Sequence, residues 1–90
     1  MTWKIEFLVD AERNIEKLDR QVQKRIYAFL QLRVAKLDDA RSIGEALHGT
    51  KFGEFWKYRV GDYRIIARIE DKILRVLVVK VGHRREVYER

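Results

Sequence analysis

The chain contains neither cysteine nor proline. Without cysteine there is no disulfide framework, no thiolate metal site and no cysteine nucleophile, a composition that fits the cytoplasm. Gly/Ser-rich linkers, low-complexity tracts and repeats are also missing, which leaves one domain over residues 1–90. Apolar runs are short and broken by charge, so no membrane span is expected. The N-terminus has no basic region followed by an apolar core, so no signal peptide is expected. What is present is apolar residue and charge: 47% of the chain is hydrophobic, enough for one small core, and the net charge is +6.

The charge is unevenly placed. Residues 1–50 hold nine Lys and Arg against eight Asp and Glu, whereas residues 51–90 hold eleven against six. A basic excess confined to one half is the footprint of a polyanion partner such as nucleic acid; an acidic protein or an anionic membrane would also suit it.

The basic half is organised around W-K-Y-R-V-G-D-Y-R-I-I-A-R, residues 56–68. Gly61-Asp62 suits a two-residue II′ turn between antiparallel strands. Val60 then faces Tyr63, and Arg59 faces Arg64. Alternation puts Lys57, Arg59, Arg64, Ile66 and Arg68 on one face, with Trp56, Tyr58, Val60, Tyr63, Ile65, Ala67 and Ile69 on the other. The second set is a core face. Like charges opposed across a sheet are destabilising, so the first set suits an anionic ligand. A solvated face whose long cations cover apolar surface accounts for the pattern equally well.

The remaining pattern fits a domain around this hairpin. Residues 2–9 alternate as a half-buried strand, with Trp3, Ile5 and Phe7 inward. Asp10 is placed to cap a short helix with Ala11, Ile15 and Leu18 on one side, and Asp19 to cap a second. From Arg20 to about Leu37, Val22, Ile26, Phe29, Leu30 and Leu37 form a stripe, with Lys24, Arg25, Gln31 and Lys36 as the wet face. Residues 38–53 lack a period and read as a loop. Asp71-Lys72 turns the chain into Ile73–Val81, apolar on both faces and therefore central in the sheet. The order is β-α-α-β-β-β. The expected fold is α+β, a mostly antiparallel four-stranded sheet with a helical hairpin on one face. Continued parity puts Val79, Val81 and His83 on the basic side.

His48 and His83 are expected at strand ends beside that face, with Tyr88 five residues after His83 and Glu45 three before His48. Histidine suits proton exchange near neutral pH. The histidines lack ligand spacing, so no metal or other cofactor is expected, and no phosphate loop or nucleophile elbow occurs. Acid–base groups beside permanent cations suit RNA cleavage by its own 2′-hydroxyl, which needs deprotonation, charge stabilisation at the phosphate and protonation of the 5′-oxygen. Taken singly, His83 is equally a surface histidine, and Tyr88 a packing residue.

L-H-G, F-W-K-Y-R-V-G-D-Y-R-I-I and V-G-H-R-R-E-V-Y together resemble the RelE branch of the RelE/ParE toxin superfamily, over nearly the whole chain. The resemblance implies a fold related to microbial ribonucleases and the toxin of a type II toxin–antitoxin pair, an enzyme that cleaves mRNA in the ribosomal A site. It implies as partners a cognate antitoxin, in a hetero-oligomer, and the 70S ribosome with its mRNA. By position, Lys57 and Arg59 match the family's basic pair before the turn, Arg64 the phosphate-neutralising arginine, and Arg84 the arginine after the last strand's glycine. Tyr88 matches the C-terminal tyrosine that stacks on a base or assists proton transfer, and His83 the general base of histidine-using members. Glu45 stands near a glutamate of one branch. Two departures are His48, where better-known members carry Arg or Lys, and a chain end two residues past Tyr88, without the C-terminal helix of some relatives. Beside the catalytic set Arg64, His83, Arg84 and Tyr88, the residues expected to bind RNA are Lys57, Arg59, Arg68, His48 and Glu45. Two other readings share the fold: a ParE-like gyrase inhibitor, and a non-catalytic RNA-binding domain in which the cations persist without proton chemistry.

Overall fold

The computed structural model describes residues 2–47 and 55–88. A strand, β1 (Lys4–Phe7), leads into α1 (Val9–Glu16) and α2 (Arg20–Ala28). A π-helical segment, Phe29–Arg33, and a 3-10 turn, Val34–Lys36, prolong α2. Then come β2 (Glu45–Ala46), β3 (Phe55–Val60), β4 (Tyr63–Glu70) and β5 (Arg75–His83). The fold is α+β, and the sheet has the order β1-β5-β4-β3-β2. Among the described residues only the β1–β5 pair is parallel. The strand apolar on both faces, β5, lies between β1 and β4, as its pattern requires.

The expected four strands are present, and β2 adds a fifth at the edge. It arises inside the expected loop, where Glu45 faces Lys57 and Ala46 faces Trp56. Two residues are too few for an alternation to register. Asp10 does not cap α1: Leu8 holds that position, and Asp10 lies in the first turn, where its charge favours the helix N-terminus. Asp19 is the N-cap residue of α2, without a side-chain capping bond.

The inner face of the sheet and the helices share one core, which includes Trp3, Ile15, Ile26, Leu30, Val34, Tyr58, Ile65, Val76 and Val78. Tyr58 is fully buried and donates its hydroxyl to the Ala40 carbonyl at 2.6 Å. Burial pushes that hydroxyl well above the usual tyrosine range. The β3–β4 hairpin has the expected register, Val60 opposite Tyr63 and Arg59 opposite Arg64. Gly61 sits at φ 58°, the left-handed first position that a II′ turn requires.

The β4–β5 register departs from simple alternation. Ile66 faces Lys80, but the next residue, Ala67, faces Val78, so Val79 is an extra residue in a bulge. Val79 packs toward the outer face, as expected. Val81 and His83 do not: they stand opposite Ile65 and Tyr63, on the core side. One inserted residue reverses the parity of everything after it.

Candidate nucleic-acid interface

The outer face is a basic surface with a small apolar floor. Lys57 stands opposite Ile66, Arg59 opposite Arg64, and Arg68 opposite Phe55. Ile66, Leu47 and Val87 form a buried cluster there, with Phe55 and Val79 against it. Val87 is the key to the C-terminal segment. The Glu86 and Val87 amides both donate to the His83 carbonyl, at 2.8 and 2.9 Å, folding the chain back over the sheet. Gly82, opposite Arg64, lies beneath it: a Cβ at that position would stand 3.4 Å from the Val87 Cβ, an ordinary van der Waals contact. Seating Val87 brings Tyr88 to the basic face, its ring centroid 5.8 Å from Lys57 Nζ.

Arg64 is the one buried charged side chain among the described residues, 8% exposed. Its Nη1 donates to the Gly61 and Tyr63 carbonyls at 3.0 and 2.9 Å, which anchors the guanidinium to the hairpin. No carboxylate among the described residues lies within ion-pair distance of it. A guanidinium has five N–H donors, so several remain for an anion, and Arg59 directly across adds a second positive charge. Arg84 is tied to the hairpin turn by its amide, which donates to the Asp62 carbonyl at 2.7 Å. Its exposed Nε lies 3.8 Å from Asp62 Oδ1, a contact worth little in water.

The structure thus gathers Lys57, Arg59, Arg64 and Tyr88 on one face, with Arg84 at the rim. Glu45 lies at the β2 edge beside Lys57. Arg68 is one row removed and close enough to Glu70 to help hold that carboxylate down, after the larger effect of Arg75. His83 does not join them. Its ring lies edge-on to Tyr63 at 5.6 Å, in a cavity of about 360 Å³ shared with Asn14, Lys17 and Lys80. His83 Nδ1 accepts the Arg85 amide at 3.2 Å, so a neutral ring carries its proton on Nε2. His48 lies outside the described residues.

Two further side chains escaped the sequence. Lys80 falls opposite Ile66 only because of the bulge, and it lines the cavity beside α1 with Asn14 and Lys17. Arg33 lines a cleft at the β3 edge with Lys57 and Arg59, and only the π-helical segment puts it there.

The chain and its α+β fold have counterparts among known proteins. A family model described as ParE toxin of type II toxin–antitoxin system, parDE, matches residues 5–88. The chain belongs to that family and is a type II toxin–antitoxin toxin of the RelE/ParE superfamily. It is similar to Toxin RelG of Mycobacterium tuberculosis, 28% identical over 92 residues and covering 100% of both chains. Its fold matches a chain of the RelBE2 toxin–antitoxin complex of the same organism, with a TM-score of 0.85 and 22% identity over 96% of this chain and 95% of that one. The intact E. coli RelBE toxin–antitoxin complex matches with a TM-score of 0.69 and 18% identity, covering 90% and 95%.

Proposed function

We propose that this toxin is a ribosome-dependent mRNA endoribonuclease that cleaves in the A site by attack of the 2′-hydroxyl on the adjacent phosphate. The observation that carries this is Arg64, a buried guanidinium with no carboxylate partner among the described residues, held by two backbone carbonyls and faced by Arg59. A buried charge without a counterion is costly, and an RNA phosphate is the ligand that offsets it. Attack forms the bond from the 2′-oxygen to phosphorus and breaks the bond to the 5′-oxygen. Charge grows on the non-bridging oxygens, and Arg64 and Arg59 stabilise it there. The 2′-hydroxyl gives up a proton and the leaving 5′-oxygen takes one; Lys57 and Tyr88, in contact on this face, are the groups that exchange them. Arg84 holds a neighbouring phosphate at the rim. His83 is a positioning residue: its carbonyl and Nδ1 fold the segment that delivers Tyr88. A cognate antitoxin covers the face until the toxin is released, in the cytoplasm.

The test is induction in a bacterial host with mapping of 5′ ends on messages, beside Arg64→Ala. New ends inside codons of translated messages, lost in the variant, support the reading. Growth arrest with DNA damage and no cuts would replace it with gyrase inhibition, the reading favoured by the ParE description of the family model.

A further inference from the structure

The basic face does not stop at the sheet edge. A cleft of about 200 Å³ opens where β3 meets the helical layer, lined by Phe29, Arg33, Ile43, Glu45, Lys57 and Arg59. Arg33 owes its place there to the π-helical segment. In an uninterrupted α-helix it would lie two turns beyond the buried Ile26, on the core-facing line. The wider turns over Phe29–Arg33 delay the chain by about one residue, so Val34 takes the core position and Arg33 is turned out. The backbone leaves helical values at this point, with φ −116° at Arg33.

Among the described residues neither Arg33, Lys57 nor Arg59 makes an ion pair. Their contacts are with rings instead: Arg33 Cζ lies 5.9 Å from the Phe29 centroid, and Lys57 Nζ 5.8 Å from that of Tyr88. Two cation–aromatic pairs therefore flank Arg59, one on the sheet face and one in the edge cleft. Alternating cations and rings along a groove is how single-stranded nucleic acid is held without reading its sequence. Glu45 is the one carboxylate in the cleft, and it opposes that use.

We propose that this cleft is a second phosphate subsite, in which Arg33 binds the RNA strand as it leaves the Arg64 site around the β3 edge. The proposal rests on the nuclease reading for the direction of the strand. It concerns binding alone, so its test is separate from cleavage. The probe is a short 2′-O-methyl oligoribonucleotide, which lacks the attacking hydroxyl, titrated at several salt concentrations. Arg33→Gln is expected to weaken binding severalfold and to lower the salt dependence by about 0.7 in logarithmic slope, the loss of one contact to a single strand. Arg33→Lys keeps the slope, Glu45→Gln tightens binding, and Arg20→Gln, an exposed cation away from the cleft, changes neither quantity.

An Arg33→Gln protein with parental affinity and slope would overturn the subsite. So would an equal loss of slope in Arg20→Gln, which would mean diffuse charge, or in Arg33→Lys, which would mean a structural role. Absence of oligonucleotide binding by the parent would also overturn it, while cuts on translated messages would still stand for the nuclease. Affinity for an acidic peptide lost in Arg33→Gln, with RNA binding intact, would reassign the cleft to a protein partner.

Discussion

Two arginines on the outer face of one sheet have opposite fates. Arg75, opposite Glu70 at one end, is saturated with carboxylate: its Nη1 donates to Glu6 Oε1 at 2.8 Å, and its Nε to Glu70 Oε1. The hydrogen bonds it donates to Glu70 and then to Glu6 raise its already high pKa, and Arg75 in turn holds the Glu70 carboxyl below its ordinary range. Arg64, at the other end, is more deeply buried, yet it has two carbonyls, a second arginine across the ladder and no acid among the described residues. Folding alone rewards the first arrangement and penalises the second. The difference separates a residue that serves the fold from one kept for a ligand.

The sharpest break in that comparison is expected from Arg64→Ala. Loss of a charge aimed at the developing phosphate anion should cut cleavage by about 10²–10³-fold, read as the yield of new 5′ ends. The urea midpoint should hold within error or rise, because an uncompensated buried charge has gone. Arg75→Ala should do the reverse, lowering the midpoint while leaving cleavage per folded molecule unchanged.

Val87→Ala comes next. It empties part of the floor beneath the C-terminal segment and should cost about 2 kcal/mol, measured by denaturant unfolding. Tyr88 loses its seat, so cleavage should fall further than the loss of folded protein explains. The smallest effect belongs to acid. The depressed Glu70 carboxyl contributes stability that is present above its ordinary value of 4.5 and lost as pH falls through its folded value. Below about pH 4.5 the parent should therefore lose stability more steeply than Glu70→Gln, as followed by thermal melts.

How much of the molecule is legible in the sequence depends on locality. The Gly61-Asp62 turn is set by residues that only a tight turn favours, and that local chemistry alone fixes the opposition of Arg59 and Arg64. The α+β class follows from periods that change with each element. Legibility fails where apolar residues leave the period degenerate. In Val-Leu-Val-Val-Lys-Val, residues 76–81, either parity buries valines, so the bulge at Val79 and the resulting placement of His83 are illegible. Over Phe-Leu-Gln-Leu-Arg, residues 29–33, the helix widens, and Val34, which is not in the expected stripe, is buried while Arg33 is turned out. The site is therefore legible on the hairpin and opaque at His83, Lys80 and Arg33.

The most direct measurement is to give Arg64 the acid that Arg75 already has. Arg59→Glu places a carboxylate directly across the ladder from Arg64. An opposite-charge cross-strand pair in place of a like-charge one should raise stability by about 0.5–1 kcal/mol. With Arg64 occupied, the same variant should yield no new 5′ ends on translated messages. A more stable and silent protein is the predicted result. Cleavage that persists at the parental level with Glu at position 59, or stability that falls, would contradict the claim that Arg64 is held uncompensated for RNA.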